Sequence, residues 1–424
     1  MPLRPDDDQG LWQNRGFRNL LIVQTLSALG DSFSYVAIPL LVLHTTGSVA
    51  QMGLVTGLTG AASIVSGVFS GVIADRVNRR ALLMICDIAR CILYAAIPLA
   101  WLFSPQLWLI YLAVPVAGVF AMLFDVTYVT VVPAIVEPGQ ITAANGRLYA
   151  SFAIAGVAGP MLAGLVSGLY GPSVAIGVDA SSFAVSAAGA LFIRLRPTGP
   201  PAGAASPAGD AAAAGVGRAR REFLAGAQFL WANPVLRTLT AALSVITFLT
   251  YGLTDLIVYD VEHGLHHTDS TVGYVLAAAT VGTFAGSALT ARIRNRLGFG
   301  GSWIGFWALS GLATACLGLV SSIAVVAVLA GAAFLCMGVA GICSMSLRQE
   351  ITPAHLLGRV TAAFWTVHSV LGPVGAALFT AVAAGYGVTP VFLASGIGVT
   401  LTAVAAFLTP IWQPAPAQRL PDPG

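Results

Sequence analysis

Long apolar runs limit the folds open to this chain more than any short motif does. Of its 424 residues, 57% are hydrophobic and 9% are charged, whereas a soluble protein carries about 25% charged residues. So small a charged fraction cannot cover a surface that faces water. A helix that crosses a hydrocarbon core of about 30 Å needs about 20 apolar residues. Runs of that length follow one another here, and they predict an all-α protein embedded in a lipid bilayer.

Glycine, proline and charged residues divide the apolar runs into twelve predicted spans. The first six are residues 18–43, 50–74, 82–103, 107–133, 145–169 and 173–194. The second six are residues 235–259, 270–291, 302–320, 323–346, 360–384 and 388–410. The chain is therefore predicted to form two six-helix bundles, residues 18–194 and 235–410.

Three segments lie outside the predicted bundles, and we expect all of them in the cytoplasm. Residues 1–17 and 411–424 are the two tails. Residues 195–234 form a linker, which is rich in proline, glycine and alanine where it begins and is expected to be flexible there. Its last part, "REFLAGAQFLWANP", has apolar residues at helical spacing, which predicts a helix along the membrane interface.

Arginine placement predicts the orientation of the chain. The sequence contains no lysine, so arginine supplies every basic side chain. If the N-terminus is cytoplasmic and the spans alternate, the predicted external loops contain no arginine. In this orientation, Arg90 and Arg237 are predicted to lie near the cytoplasmic ends of their helices. This asymmetry obeys the positive-inside rule. It predicts a multi-pass protein of a bacterial inner or plasma membrane, with both termini in the cytoplasm.

The absence of lysine also excludes several kinds of chemistry. A Walker A nucleotide site and Schiff-base catalysis both need a lysine. The chain contains neither a Gly-x-Ser-x-Gly nor an HExxH motif, so no enzyme activity is predicted. The five cysteines lie in apolar runs without the spacing of a metal site. We therefore expect no cofactor, no metal and neither a nucleotide nor a nucleic acid as a partner.

The two predicted halves repeat each other in sequence. "NRGFRNLL", from Asn14, matches "NPVLRTLT", from Asn233, and each opens a span. "GVIADRVNRR", which ends at Arg80, aligns with "SALTARIRNR", which ends at Arg296. A parallel repeat of six plus six spans is the architecture of transporters that rock two halves around a central cavity.

The segment between spans 2 and 3 carries the pattern G-x-x-x-D-R-x-x-R-R. Its residues are Gly71, Asp75, Arg76, Arg79 and Arg80. With this motif and its partial copy in the second half, the chain resembles the major facilitator superfamily. The resemblance implies twelve transmembrane helices in two six-helix pseudo-repeats around a central cavity. It also implies a gating role, in which Asp75 pairs with a cytoplasmic helix N-terminus and Arg76 with a nearby acid such as Asp87.

Span 5 contains "GRLYASFAIAGVAGPMLAG", which resembles the glycine-rich antiporter motif of proton-coupled drug exporters. The matching residues are Gly146, Gly159, Pro160 and Gly164, whereas Ala155 and Ala163 stand in place of glycines. Close helix packing through small residues would explain the same pattern. The segments "ALGDSFSYVAIPLLV", "LWANPVLRTL" and "RQEITPAHLLGRVTAA" resemble the macrolide-efflux and enterobactin-exporter branch of the superfamily.

Acidic residues inside the spans are candidates for proton coupling. An ionised carboxylate at the centre of a span costs about 2.5–3.5 kcal/mol on insertion scales and usually faces a cavity or a partner. Asp31 in span 1, Asp125 in span 4 and Asp255 in span 7 are the candidates. Span 4 lacks the R-x-x-Q-G pattern of many antiporters in the superfamily. We expect Asp179 in span 6 to be structural, with neighbouring serines as its partners.

Histidine and tyrosine residues complete the candidate cavity. His368 in span 11 is a candidate proton relay, although a packing role would also explain it. Tyr35, Tyr128 and Tyr251 would suit a bulky lipophilic substrate, although aromatic residues also pack helices together.

These residues lead us to expect a monomeric secondary transporter with protons and a lipophilic small molecule as its partners. The molecule would be a drug, a macrolide-like metabolite or a siderophore, exported by alternating access. Two alternatives stay open: an uptake symporter for a small metabolite, and a non-transporting membrane receptor on the same fold.

The gating motif generates a first prediction. Asp75→Ala should slow transport and leave substrate affinity largely unchanged, because the pairing of Asp75 with a helix N-terminus stabilises a closed state instead of contacting substrate. Initial rates in proteoliposomes and equilibrium binding of the substrate measure the two quantities. A variant that loses substrate binding would contradict the gating role.

Overall fold

A computed structural model describes residues 13–136, 140–192, 223–353 and 356–412. Over these residues every regular element is helical, and eleven helices are long and apolar enough to cross a membrane. The first unit of the repeat contributes α1 Arg15–Thr46, α2 Val49–Arg76, α3 Arg79–Trp101, α4 Leu107–Ile135, α5 Ile141–Tyr170 and α6 Pro172–Ala190. The remaining helices are α7 Phe223–Ala232, α8 Pro234–Thr250, α9 Leu253–Tyr259, α10 Asp269–Leu317, α11 Ile323–Ile351, α12 Leu357–Ser369, α13 Gly372–Tyr386 and α14 Val388–Ala405.

One helix accounts for two of the twelve predicted spans. Helix α10 has 49 residues, which corresponds to about 74 Å at 1.5 Å per residue, more than twice the hydrocarbon thickness. Gly298 has a φ of 70° and a ψ of −179° inside it, so the helix is broken there into two arms. The arms match predicted spans 8 and 9. The fold is thus the expected all-α membrane fold with twelve transmembrane helices.

Two other predicted spans are interrupted. Span 7 comprises α8 and α9, which are separated by Tyr251 and Gly252 and followed by a short π-helix at Asp260–Gly264. Span 11 comprises α12 and α13, and Pro373 lies in the first turn of α13. Proline cannot donate the backbone hydrogen bond that would continue α12. Apolar periodicity does not report such breaks, since both sides of each break remain apolar.

The repeated asparagine that opens each half is a helix N-cap. The side-chain oxygen of Asn14 accepts hydrogen bonds from the backbone N–H groups of Gly16, at 3.0 Å, and Phe17, at 3.2 Å. Asn233 accepts in the same way from Val235, at 3.0 Å, and Leu236, at 3.1 Å. Each cap satisfies N–H groups that have no partner within the helix. The sequence repeat therefore preserves a backbone function at the start of α1 and α8.

The chain forms two compact units. The first comprises Met1–Pro207 together with Val261–Ala277, and the second Ala208–Asp260 together with Ala278–Gly424. In the first unit, α1 packs against α5 and α6, α3 packs against α4 and α6, and α2 packs against α4. In the second, α8 packs against α12, α13 and α14. The bundle boundaries expected from the sequence stay a prediction. Most residues of the two tails and of the linker lie outside the described residues.

Glycines allow α10 and α11 to approach each other closely in the second unit. A Cβ atom on Gly282 would overlap the carbonyl oxygen of Gly331, and one on Gly286 would overlap that of Leu335. Gly282 and Gly286 are four residues apart, so they lie on one face of α10. Small residues at this spacing let helix backbones make close van der Waals contact in a membrane.

Gly282→Ala should therefore lower the midpoint of thermal unfolding in detergent, because the two helices must move apart. Gly305→Ala on the same helix is the matched control, since a Cβ there would meet nothing within 4 Å. Alanine is favoured over glycine in a helix by about 0.8–1.0 kcal/mol, so the control variant should be as stable as the native protein or more stable. Equal effects of the two substitutions would contradict the close packing.

Candidate functional site

A cavity of about 300 Å³ lies within the first unit, among helices α1, α3, α4 and α5. Three of its lining residues are charged, three are aromatic, and the others are small or polar. The lining residues are Gln24, Ser27, Ala28, Asp31, Arg90, Ala121, Phe124, Asp125, Tyr128 and Phe152. The structure thus brings together Asp31, Asp125 and Tyr128, which the sequence predicted on two different spans.

An ion pair between α1 and α3 forms one wall of this cavity. The guanidinium of Arg90 donates a hydrogen bond to Oδ1 of Asp31. The Arg90 side chain is 7% exposed, whereas that of Asp31 is 46% exposed. Arg90 also lies over the ring of Phe183, 3.8 Å from its centroid, which is a cation–π contact. The arginine is therefore held in place by protein on its far side, and the carboxylate remains accessible.

Arg90 is a site residue that the sequence interpretation missed. It was counted near a cytoplasmic helix end, but it is the twelfth residue of the 23 in α3 and is therefore at the middle of that helix. This position corrects the expectation. Its location within the apolar run 82–103 was the available signal, because a charge inside a span usually has a partner.

Helix α4 contributes a carboxylate and an aromatic group to the cavity. Asp125 and Tyr128 are three residues apart and share one face of α4, and Asp125 is exposed. The ring of Tyr128 stacks on Phe124 with centroids 6.2 Å apart and meets Phe152 of α5 at 6.3 Å. Within the described residues, the Tyr128 hydroxyl has no hydrogen-bond partner. The hydroxyl oxygen itself is buried, so the ring is the part of Tyr128 that contributes to the cavity wall.

Two further acids lie behind the ion pair, and both are buried. Asp87 accepts a hydrogen bond from Ser186 at 2.5 Å, and Asp179 accepts one from Ser182 at 3.2 Å. The serine contact of Asp179 agrees with its expected structural role. The proposed pairing of Asp87 with Arg76 stays a prediction, since the side chain of Arg76 lies outside the described residues.

The antiporter-like motif on α5 serves helix packing at two positions. A Cβ on Gly159 would overlap the side chain of Ser32, which is next to Asp31. A Cβ on Gly164 would lie 2.7 Å from the carbonyl oxygen of Asp269 and 2.8 Å from Cα of Gly273. Pro160 is buried within α5, and a Cβ on Gly146 would meet nothing within 4 Å. The antiporter role of the motif stays a prediction.

The other predicted cavity residues lie outside this pocket. Tyr35 is on α1, 47% exposed. Asp255, Tyr251 and His368 belong to the second unit. Asp255 is buried, the ring of Tyr251 lies against Gly372, and His368 is buried with Nδ1 2.8 Å from the carbonyl oxygen of Phe364. Their roles in transport stay predictions.

The gating motif is described only in part. The side chains of Gly71, Asp75 and Arg76 lie outside the described residues. Arg79 opens α3, directly after its N-cap residue Asn78. Arg80 donates to the carbonyl oxygen of Leu191, just past the end of α6. The predicted gating role is therefore untested.

Comparisons with known proteins agree with this fold. The curated relatives include the enterobactin exporter EntS of Shigella flexneri, 26% identical over 92% of this chain and 90% of the relative. Another is the multidrug efflux pump Tap of Mycolicibacterium fortuitum, 25% identical over 93% of this chain and 96% of the relative.

Solved structures of transporters share the fold at low sequence identity. A mutant of the nucleoside transporter NupG superimposes with a TM-score of 0.73 and 13% identity, covering 92% of this chain and 99% of the other. A bacterial homolog of the human lysosomal transporter Spinster, in an inward-facing and occupied conformation, has a TM-score of 0.71 and 16% identity over 92% of this chain and 95% of the other.

The family model of the Major Facilitator Superfamily matches residues 20–376, most of the chain. Transporters of this family are not enzymes, and the exporters among them bind small-molecule substrates in the membrane. This multi-pass membrane protein belongs to the Major Facilitator Superfamily.

Proposed function

We propose that this protein is a proton-coupled exporter of lipophilic small molecules. The observation that carries the proposal is the ion pair of Asp31 and Arg90 in the wall of a cavity that also has aromatic walls. A lipophilic substrate needs the aromatic surface, and coupling needs a carboxyl group that can change its charge. Both features occur in one pocket of the first unit.

Coupling in this proposal uses the two states of the Asp31 carboxyl group. When Asp31 is ionised, it neutralises Arg90, whose side chain is only 7% exposed. When Asp31 takes up a proton, Arg90 loses its partner. A largely buried charge without a partner is unfavourable, so the protonated state favours a rearrangement that gives Arg90 another anionic neighbour. Proton binding is thereby linked to a change in the arrangement of α1 and α3.

Asp125 provides a second acid in the same cavity. It is exposed and lines the same pocket as the ion pair. A proton or a cationic group of the substrate can therefore bind to either carboxylate. This arrangement suits an exchanger, in which one binding event displaces the other.

The aromatic walls of the cavity suit a ligand that carries a ring system. Phe124, Tyr128 and Phe152 contribute aromatic rings, while Gln24 and Ser27 are uncharged polar residues of the lining. Drug-sized ligands occupy pockets of about 300–1,000 Å³ that are mostly apolar. A volume of about 300 Å³ accommodates a small ring system or one arm of a larger molecule.

The relatives support export as the direction of transport. The named relatives are an enterobactin exporter and a multidrug efflux pump. In our proposal the protein works as a monomer in a bacterial inner membrane with both termini in the cytoplasm. It exports a drug, a macrolide-like metabolite or a siderophore by alternating access, driven by proton entry.

Asp31→Asn should abolish transport driven by a pH gradient and preserve exchange of labelled for unlabelled substrate. An amide cannot gain or lose the coupling proton, but it keeps the shape of the carboxyl group. The assay uses proteoliposomes with an imposed pH gradient and a panel of lipophilic antibiotics and siderophores. The two modes of transport are measured in the same preparation.

Glu350→Gln is the matched control for this experiment. Glu350 belongs to the second unit, is 55% exposed, pairs with Arg294 at 2.6 Å and is not among the lining residues of the cavity. An exposed pair contributes about 0–1 kcal/mol, so both modes of transport should persist in this variant. Full gradient-driven transport by Asp31→Asn would refute coupling through Asp31, and full transport by Asp125→Asn as well would refute coupling through this cavity.

Tyr128 generates a prediction on substrate binding. Tyr128→Ala should raise KM for a lipophilic substrate by roughly tenfold, which corresponds to a loss of about 1.4 kcal/mol of binding free energy. Tyr128→Phe keeps the ring and should change KM much less, unless the substrate uses the hydroxyl. Initial rates over a range of substrate concentrations give KM. An unchanged KM in Tyr128→Ala would place the substrate elsewhere.

A further inference from the structure

A histidine and two acids from distant parts of the sequence meet at one end of α1. His44 is in the last turn of α1, Glu262 is in the π-helix after α9, and Asp269 is the first residue of α10. The Nε2 atom of His44 lies 2.8 Å from Oε1 of Glu262 and 3.3 Å from Oδ1 of Asp269. These donor atoms all lie within 4.8 Å of one another.

The charges of this cluster are unbalanced. The side chain of Glu262 is 14% exposed and that of Asp269 is 10% exposed, so both carboxylates are largely withdrawn from water. His44 lies within ion-pair distance of both acids. Even when protonated, one imidazole neutralises only one of them. Oε2 of Glu262 is buried and has no hydrogen-bond partner in the described part of the chain.

We propose that His44, Glu262 and Asp269 form a binding site for a divalent transition-metal ion such as Zn²⁺. The ion would displace the proton from Nε2 of His44 and leave a neutral imidazole ligand and two carboxylate ligands. Its two positive charges would then balance the two acids. One imidazole with carboxylate oxygens is a donor set that zinc accepts, and three protein ligands leave a fourth position for water.

The two separations between His44 and the acids are close to those of a zinc site. Zinc binds histidine nitrogen and carboxylate oxygen at about 2.0–2.2 Å. In a tetrahedral site these bond lengths place neighbouring donor atoms about 3.3–3.5 Å apart. The separation of 3.3 Å between His44 and Asp269 already fits. The 2.8 Å contact of His44 with Glu262 needs to lengthen by a few tenths of an ångström, which is within reach of a side-chain rotation.

The site would fasten a particular segment of the chain. Glu262 and Asp269 belong to Val261–Ala277, which forms part of the first unit, whereas the chain on either side of it forms part of the second. The same segment contacts α5, where Gly164 and Gly273 approach each other closely. A bound ion would add three coordinate bonds to these contacts. It would therefore suppress local opening of Val261–Ala277.

Metal binding is measured on the purified full-length protein after treatment with a chelator. Equilibrium dialysis against Zn²⁺ gives the stoichiometry and the affinity. Hydrogen exchange of Val261–Ala277 with and without Zn²⁺ reports whether the segment is fastened. The native protein should bind one Zn²⁺ per chain and show slower exchange in this segment. Neither measurement requires a known transport substrate. Failure of this metal-binding test can therefore be distinguished from failure of the proposed transport function.

Three variants make the test specific. His44→Ala should weaken Zn²⁺ binding by at least about tenfold, since removing even an outer-shell partner of a metal site costs 10–100-fold. Glu262→Gln keeps the side-chain shape and should also weaken binding, which covers the case that His44→Ala fails to fold. His266→Ala is the matched control, because His266 is an exposed histidine of the same segment. It should bind Zn²⁺ like the native protein.

Two results would overturn the assignment. One is native protein that binds no Zn²⁺ after the chelator is removed. The other is binding that is unchanged in both His44→Ala and Glu262→Gln but is lost in His266→Ala, which would identify an adventitious site on the loop.

Discussion

The absence of water from the hydrocarbon core is the constraint on which the rest of this structure depends. Every backbone N–H and C=O group within the bilayer needs a partner inside the protein, and a helix supplies one for each. The same absence of water makes a charged side chain costly. Arg90, in the middle of α3, accordingly lies beside Asp31 and over Phe183.

Close helix packing and the polar site are connected in the first unit. Gly159 of α5 lies against Ser32 of α1. Because Gly159 has no side chain, α5 can pack closely against Ser32, which is next to Asp31. On the other side of α1, α6 provides Phe183, which supports the guanidinium of Arg90. The ion pair thus depends on three helices besides the one that carries the carboxylate. A residue at a helix contact can influence the site without lining the cavity.

Much of the fold could be predicted from the sequence, because span length and turn residues are local signals. The repeated asparagines were visible as a pattern, and the structure shows that both are helix N-caps. The breaks at Gly252 and before Pro373 were not predicted, since the flanking residues on both sides are apolar. Asp31, Asp125 and Tyr128 were selected as acids and an aromatic inside spans, and they line one cavity. Arg90 was overlooked because it was interpreted only as a marker of orientation.

By itself, the sequence determined that the chain is helical, that it crosses a membrane about twelve times, that its halves repeat and that it lacks the residues of a nucleotide site. These properties depend on composition and on spacings of a few residues. Only the tertiary structure decided that Asp31 pairs with Arg90, that Phe152 meets Tyr128, and that His44 reaches Glu262 and Asp269. Such contacts depend on how far each helix is rotated about its axis and which helix packs beside it. Apolar periodicity leaves both undetermined in a membrane, because the faces toward lipid and toward protein are similarly apolar.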